Sequence, residues 1–211
     1  MRQHAPACDR NREPILSVLS VAFSEARHVL EIGSGTGQHA VFFAEALPHL
    51  YWQTSEVPGS DGSIRAWVAG AGLSNVAMPL PLDVTQQEWG CGATDGVFTA
   101  NTLHIMPWSS VLALFRGTGR ILRPGGTMVI YGPFNYEGRF TSDSNEQFDA
   151  FLRARDPQSG IRDFEAVVSA ARELAGLELG RDAPMPANNR SLVFNKPDAR
   201  RMMGIDCEVS V

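Results

Sequence analysis

Apolar positions along the chain change their period several times. Ile15, Val18, Leu19, Ala22 and Phe23 recur three and four residues apart, which predicts an amphipathic N-terminal helix started by Asn11 and Pro14. Beyond it, short apolar runs alternate with stretches of helical period. Strands are expected at 29–32, 51–55, 76–82, 96–100 and 127–131, with helices at about 38–47, 60–71 and 107–122. Repeated strand–helix units of this kind predict an α/β fold: a mostly parallel sheet with helices on both faces. After Gly132 the pattern changes. A loop rich in Gly, Tyr and Phe leads to helices at about 144–155 and 163–175, the second closed by Gly176. Two last strands, about 177–181 and 190–195, flank Met185-Pro186-Ala187-Asn188-Asn189 and complete a seven-stranded sheet with an antiparallel C-terminal end. Residues 1–211 read as a single domain, with a core of about 5–197 and a tail at 198–211 that has no clear period.

Composition narrows the classes of partner. Lys and Arg number 18 against 23 Asp and Glu, giving a net charge of -5 and a pI near 5.5. Such a chain has no general reason to bind nucleic acid or an anionic membrane, and no basic run offers a phosphate track. Cys8, Cys91 and Cys207 are odd in number and lack the two-residue spacing of zinc or redox pairs, so neither a metal nor structural disulfides are expected. No window approaches a membrane span and no signal-peptide core follows Met1. A soluble, cytoplasmic protein is the expectation; the sequence says nothing of its oligomeric state.

The strongest local chemistry lies in Val29-Leu30-Glu31-Ile32-Gly33-Ser34-Gly35-Thr36-Gly37, an apolar strand running into alternate glycines and then a helix. Glycine is needed where a ligand approaches the backbone or a turn demands positive φ, and the carboxyl edge of a first strand is where open α/β sheets bind ligands. A dinucleotide fingerprint would carry its third glycine at position 38, which is Gln38. The glycine comes at Gly37 instead, and Glu31 precedes the turn. Glu56 ends the second strand 19 residues after Gly37, where a carboxylate can accept hydrogen bonds from ribose hydroxyls. Asp83 and Val84 follow the third strand, and Asn101 and His104 follow the fourth, His104 nine residues after Asp95. Taken singly, these acids could be turn or cap residues, and the histidine could simply pack.

The Glu-x-Gly-x-Gly-x-Gly turn resembles the first motif of class I methyltransferases that use S-adenosylmethionine. The resemblance implies a Rossmann-like fold with Glu31, Gly33, Ser34, Gly35, Gly37, Glu56, Asp83, Val84 and Asn101 around that cofactor, Glu31 meeting its cationic amino-acid end and Asp83 its adenine amino group. It also makes His104 a candidate general base, as in small-molecule O-methyltransferases. Arg123-Pro124-Gly125-Gly126 is a further common feature of the class, with a structural role at a helix end. Beyond this shared core, the chain resembles the domain of unknown function 938 family. Matching stretches include Asn11-Arg12-Glu13-Pro14-Ile15-Leu16, Ser63-Ile64-Arg65-Ala66-Trp67, Gly132-Pro133-Phe134-Asn135, Thr141-Ser142-Asp143-Ser144-Asn145, Gly160-Ile161-Arg162-Asp163 and Met185-Pro186-Ala187-Asn188-Asn189, across roughly residues 5–197. Glu56 departs from the family's Asp but keeps its chemistry.

The acceptor is expected to be a small molecule. Phe134, Tyr136, Phe140, Asn145, Arg162, Asn188 and Asn189 fall in loops after the fifth strand or between the last two, and their aromatic, amide and guanidinium groups suit a partly apolar, neutral or anionic acceptor. The individual alternative for each is loop anchoring. Two other functions compete: a non-catalytic S-adenosylmethionine-binding accessory or sensor, and a nicotinamide oxidoreductase. The misplaced third glycine and the absence of a Tyr-x-x-x-Lys pair, with Lys196 the only lysine, speak against the latter.

Overall fold

The computed structural model describes residues 1–198. Its elements are α1 (Pro6–Ala22), β1 (His28–Glu31), α2 (Gln38–Ala46), β2 (Tyr51–Glu56), α3 (Gly62–Ala71), β3 (Val76–Pro81), β4 (Thr94–Ala100), α4 (Trp108–Ile121), β5 (Leu122–Gly132), β6 (Phe134–Asn135), α5 (Asp143–Arg155), β7 (Arg162–Asp163), α6 (Phe164–Ala175), β8 (Glu178–Met185) and β9 (Asn189–Asn195). Seven strands form one sheet in the order β3-β2-β1-β4-β5-β9-β8. Pairs β1–β2, β2–β3, β1–β4 and β4–β5 are parallel, whereas β9 runs against both β5 and β8. Strand β8 therefore points with the parallel set, and β9 alone is reversed. The chain winds outward from β1 in one direction and from β4 in the other, so the switch between them opens a crevice at the strands' carboxyl ends.

Alternation along the central strands divides the interior in two. Val29, Phe98, Val129, Tyr131 and Val193 face α1, α2 and α3; Leu30, Val97, Met128, Ile130, Leu192 and Phe194 face α4 and α6. Burial on both faces is what near-continuous apolar strands require, and each fully buried Phe or Leu side chain contributes about 2–3 kcal/mol.

Three boundaries differ from expectation. Helix α1 begins at Pro6, where a missing N–H costs nothing, and Pro14 lies inside it. Asn11 is not a cap but a buried residue on the same face as Ile15, Val18 and Leu19. Packing of that face against the sheet outweighs the broken helical bond at Pro14. Strand β5 starts at Leu122, which pairs with Thr94; Arg123–Gly126 forms an irregularity inside the strand before regular pairing resumes at Thr127. Residues 134–135 and 162–163, expected as loop and as a helix start, pair as a small parallel sheet, β6–β7. Two residues are too few to show a period. Among the described residues no helix is long and apolar enough to cross a membrane. Most of the expected tail, with Cys207, lies outside the described residues; Cys8 and Cys91 are free thiols.

Candidate active site

A cavity of about 1050 Å³ lies over the carboxyl ends of β1, β2, β4 and β5, roofed by the first turns of α1 and walled by α5 and the β8–β9 hairpin. The glycine turn forms part of its floor. Gly33 adopts φ +70°, and a Cβ there would lie 2.7 Å from Thr102 Cγ2. Gly35 adopts φ +57° with open space where its side chain would be, and its N–H donates to Glu56 Oε2 at 2.9 Å. Gly37, expected to touch the cofactor, does not line the cavity. It occupies φ +89° at the start of α2, and a Cβ would lie 2.9 Å from Ile64 Cα, so its role is to let α3 approach the turn.

Three carboxylates border the cavity on the β1–β3 side. Glu31 is 2 % exposed, and its Oε2 accepts from Ser34 Oγ at 2.8 Å and Trp52 Nε1 at 3.0 Å, leaving Oε1 for the cavity. Burial raises its pKa to about 7, with the two hydrogen bonds opposing the rise and the Glu56 charge adding to it. Ser34 also receives the Ser55 N–H, tying the turn to β2. Besides Gly35, Glu56 accepts from the Val57 N–H at 3.0 Å. Asp83 accepts from the N–H and Oγ1 of Thr85, and these bonds hold its carboxyl below the usual range; Val84 lies beside it in the wall.

The segment after β4 forms the opposite wall. Asn101 adopts φ +58° with its N–H bonded to Tyr131 O, and the Thr99 and Thr102 hydroxyls hydrogen-bond each other below it. His104 lines the cavity, 5 % exposed, with its ring edge-on to Phe148 at 5.3 Å. Burial depresses its pKa to about 4, with the Arg162 guanidinium contributing, so the ring is neutral at pH 7. Among the described residues no carboxylate pairs with it.

Of the residues expected to meet an acceptor, Asn145 and Asn189 line the cavity and five others do not. Phe134 is 2 % exposed in the apolar core beneath the sheet. Tyr136 turns outward, donating to Asp182 Oδ2 at 2.8 Å and stacking on Phe164 at 4.7 Å. Arg162 donates to the carbonyls of Leu103, Met106 and Gln158, so its guanidinium fixes the backbone that carries His104. Asn188 sits in the hairpin at φ +57°, where its carbonyl accepts from Asn145 Nδ2 at 3.3 Å and its amide reaches Ser144 Oγ. Phe140 is also absent from the lining and half-exposed.

Cys8, Arg10 and Asn11 of α1, His39 of α2, Tyr131 of β5 and Phe148 of α5 line the cavity without having been singled out as site residues. Asn11 reads in the sequence as a helix start and as part of a stretch resembling the family, not as a site residue. His39 follows the glycine turn closely enough to have been a candidate, but apolar period alone assigned it to a helix.

A family model described as "Protein of unknown function (DUF938)" matches residues 2–196. A curated relative, aclacinomycin 10-hydroxylase RdmB of Streptomyces purpurascens, is 31% identical over 124 residues, covering 55% of this chain and 30% of that protein. Among solved structures, an O-methyltransferase family protein from Burkholderia thailandensis superposes with a TM-score of 0.78 at 18% identity, covering 89% of this chain and 56% of the other. The S-adenosylmethionine-dependent methyltransferase SibL superposes at 0.76 and 24% identity, covering 91% and 56%. The chain thus spans just over half the length of these solved proteins and under a third of the curated relative. At these identities the structures share the fold, the Rossmann-like sheet of class I methyltransferases.

Proposed function

The chain belongs to the DUF938 family, and from its cavity and the fold it shares with solved methyltransferases we propose that it is an S-adenosylmethionine-dependent methyltransferase acting on a small molecule. The observation that carries this reading is the set of carboxylate acceptors around the switch between β1 and β4. Glu31 Oε1 is open at one point, and Glu56 stands at the end of β2, spaced for ribose hydroxyls. Gly35 leaves room for close approach, and Asp83 stands over β3 for an adenine amino group. A pyrophosphate would meet three carboxylates here, whereas a cationic amino-acid end is favoured by them. Bound S-adenosylmethionine supplies a methyl group already activated by its sulfonium.

The protein then has to align the acceptor, exclude water and dispose of a proton. Ile105, Met106, Phe148 and Pro133 give the β4–β5 side an apolar lining, and Asn145 and Asn189 add neutral amides. No carboxylate lies on that side among the described residues, so a neutral or anionic acceptor fits better than an ammonium. His104 accepts the proton of an acceptor hydroxyl: neutral at pH 7, it has a free ring nitrogen, but without a carboxylate behind it the base is weak. The whole chain serves as one methyltransferase domain in a reducing cytoplasm, where Cys8 and Cys91 stay free.

Calorimetric titration with S-adenosylhomocysteine tests the cofactor. Saturable one-to-one binding is expected; no binding at millimolar ligand contradicts the proposal. Because the relative RdmB is named a hydroxylase, the reaction must be tested as well as the binding.

A further inference from the structure

Beside Ala100 the cavity extends from Glu31 into a polar recess whose far side, Asn11, His39 and Tyr131, has no role in the function proposed above. Glu31, Ala100 and Tyr131 lie on β1, β4 and β5, on the sheet face covered by α1 and α2; pairing sets Glu31 level with Phe98, and Ala100 level with Tyr131. The backbones of β1 and β5 are two strands apart, about 10 Å, and the single methyl of Ala100 between them leaves the floor open. Asn11 and His39 close the recess from above, and all five residues line the cavity.

The two sides of this recess differ in chemistry. Glu31 presents its unengaged Oε1 on one side. On the other, His39 Nε2 lies 2.8 Å from Asn11 Oδ1. An amide oxygen only accepts, so the neutral ring carries its hydrogen on Nε2, and the bond turns the Asn11 NH₂ toward the Tyr131 hydroxyl. With its oxygen receiving Asn11, Tyr131 keeps its O–H to donate into the cavity. Asn11, His39 and Tyr131 are each less than a tenth exposed, so these donors face the cavity and not bulk water.

An acceptor carboxylate facing two donors across a small gap is the complement of one ligand class, an ammonium and a carboxylate on the same carbon. We propose that Asn11 and Tyr131 bind the carboxylate of the ligand's α-amino-acid end while Glu31 binds its ammonium, with His39 the positioning residue that orients Asn11. This rests on the S-adenosylmethionine reading above and supplies the half of the amino-acid site that the glycine turn does not.

The test compares S-adenosylhomocysteine with 5′-methylthioadenosine, the same nucleoside without the amino-acid end, by calorimetry on the full chain. Tyr131→Phe and Asn11→Asp are expected to weaken S-adenosylhomocysteine about tenfold or more while changing 5′-methylthioadenosine less than about twofold, as loss of a hydrogen bond to a charged group requires. His39→Leu follows the same pattern, and His39→Gln, whose amide still donates to Asn11, recovers most of the loss. The ratio of the two affinities is the readout, because damage to the fold lowers both together. Equal losses, or no loss for S-adenosylhomocysteine, overturn the subsite and leave the cofactor in place. A wild-type chain that binds neither nucleoside overturns the cofactor reading and the subsite with it.

Discussion

Glu31 is held in a state that costs stability. Its pKa of about 7 against an ordinary 4.5 means that ionising it inside the fold opposes folding by up to about 3 kcal/mol above neutral pH. Glu31→Gln is therefore expected to raise the melting temperature of the ligand-free protein at pH 8, while weakening S-adenosylhomocysteine by about tenfold or more; thermal melts and calorimetry on the same sample check both. His104 leads to a different expectation. Its pKa near 4 leaves it deprotonated across the working range, so with an acceptor in hand the pH–rate profile shows no rise centred on 6.5, and His104→Gln lowers kcat by about a hundredfold or less, the bottom of the general-base range. A rise near 6.5 lost in that variant contradicts the neutral, unpaired ring. At this scale the sequence was most legible where chemistry and backbone geometry coincide, at Glu31, Gly33, Gly35 and Glu56. It misled at Arg162 and Tyr136, whose polar atoms are spent on Leu103, Met106 and Asp182, partners that only the fold brings near.

Elements were readable in proportion to their length and period. Strands β1 to β4 and helices α2 to α6 stand within a few residues of their expected places, because a strand buried on both faces must be apolar throughout and each helix carries an apolar stripe. Helix α1 was misjudged by six residues, since Asn11 and Pro14 look like a start and act as interior positions. That error hid the roof of the cavity. The glycine turn offers a test at this scale. Gly37→Ala drives a methyl against the Ile64 backbone and keeps a positive φ, so it is expected to destabilise the chain by about 2 kcal/mol or more. Gly35→Ala meets no atom and costs only about 1 kcal/mol of left-handed strain, but its methyl projects into the cavity and weakens S-adenosylhomocysteine. Denaturant unfolding and calorimetry separate the two; equal effects of both variants on stability contradict the different roles assigned to them.

For the molecule as a whole, the buried titratable groups set the pH response. Between pH 4.5 and 6.5 the unfolded chain protonates His39 and His104, which the folded protein holds neutral down to about 4, whereas the folded protein keeps the Glu31 proton that the unfolded chain releases. The unfolded state thus binds about one more proton, and the stability of the ligand-free protein rises with pH by about 1.4 kcal/mol per unit in that window. Above about 6.5 the last histidine protons of the unfolded chain and the Glu31 proton of the fold are lost together, their effects nearly cancel, and stability levels off. Stability from urea melts across pH 4.5–8 should rise by about 1.4 kcal/mol per unit and level off near 6.5, and a slope of about 2.7 kcal/mol per unit below 6 would contradict the buried Glu31. Net charge and composition foretold none of this, because they count charges without their surroundings. The acceptor is the least legible feature for the same reason: its walls come from α1, α5, the β8–β9 hairpin and the loop after β4, segments far apart in the chain. The most direct measurement is mass spectrometry of the purified chain incubated with S-adenosylmethionine and a set of small hydroxylated aromatic molecules. Methyl transfer predicts S-adenosylhomocysteine and a product heavier by one methylene group, formed in equal amounts. Unchanged S-adenosylmethionine, or a product heavier by one oxygen atom, contradicts it.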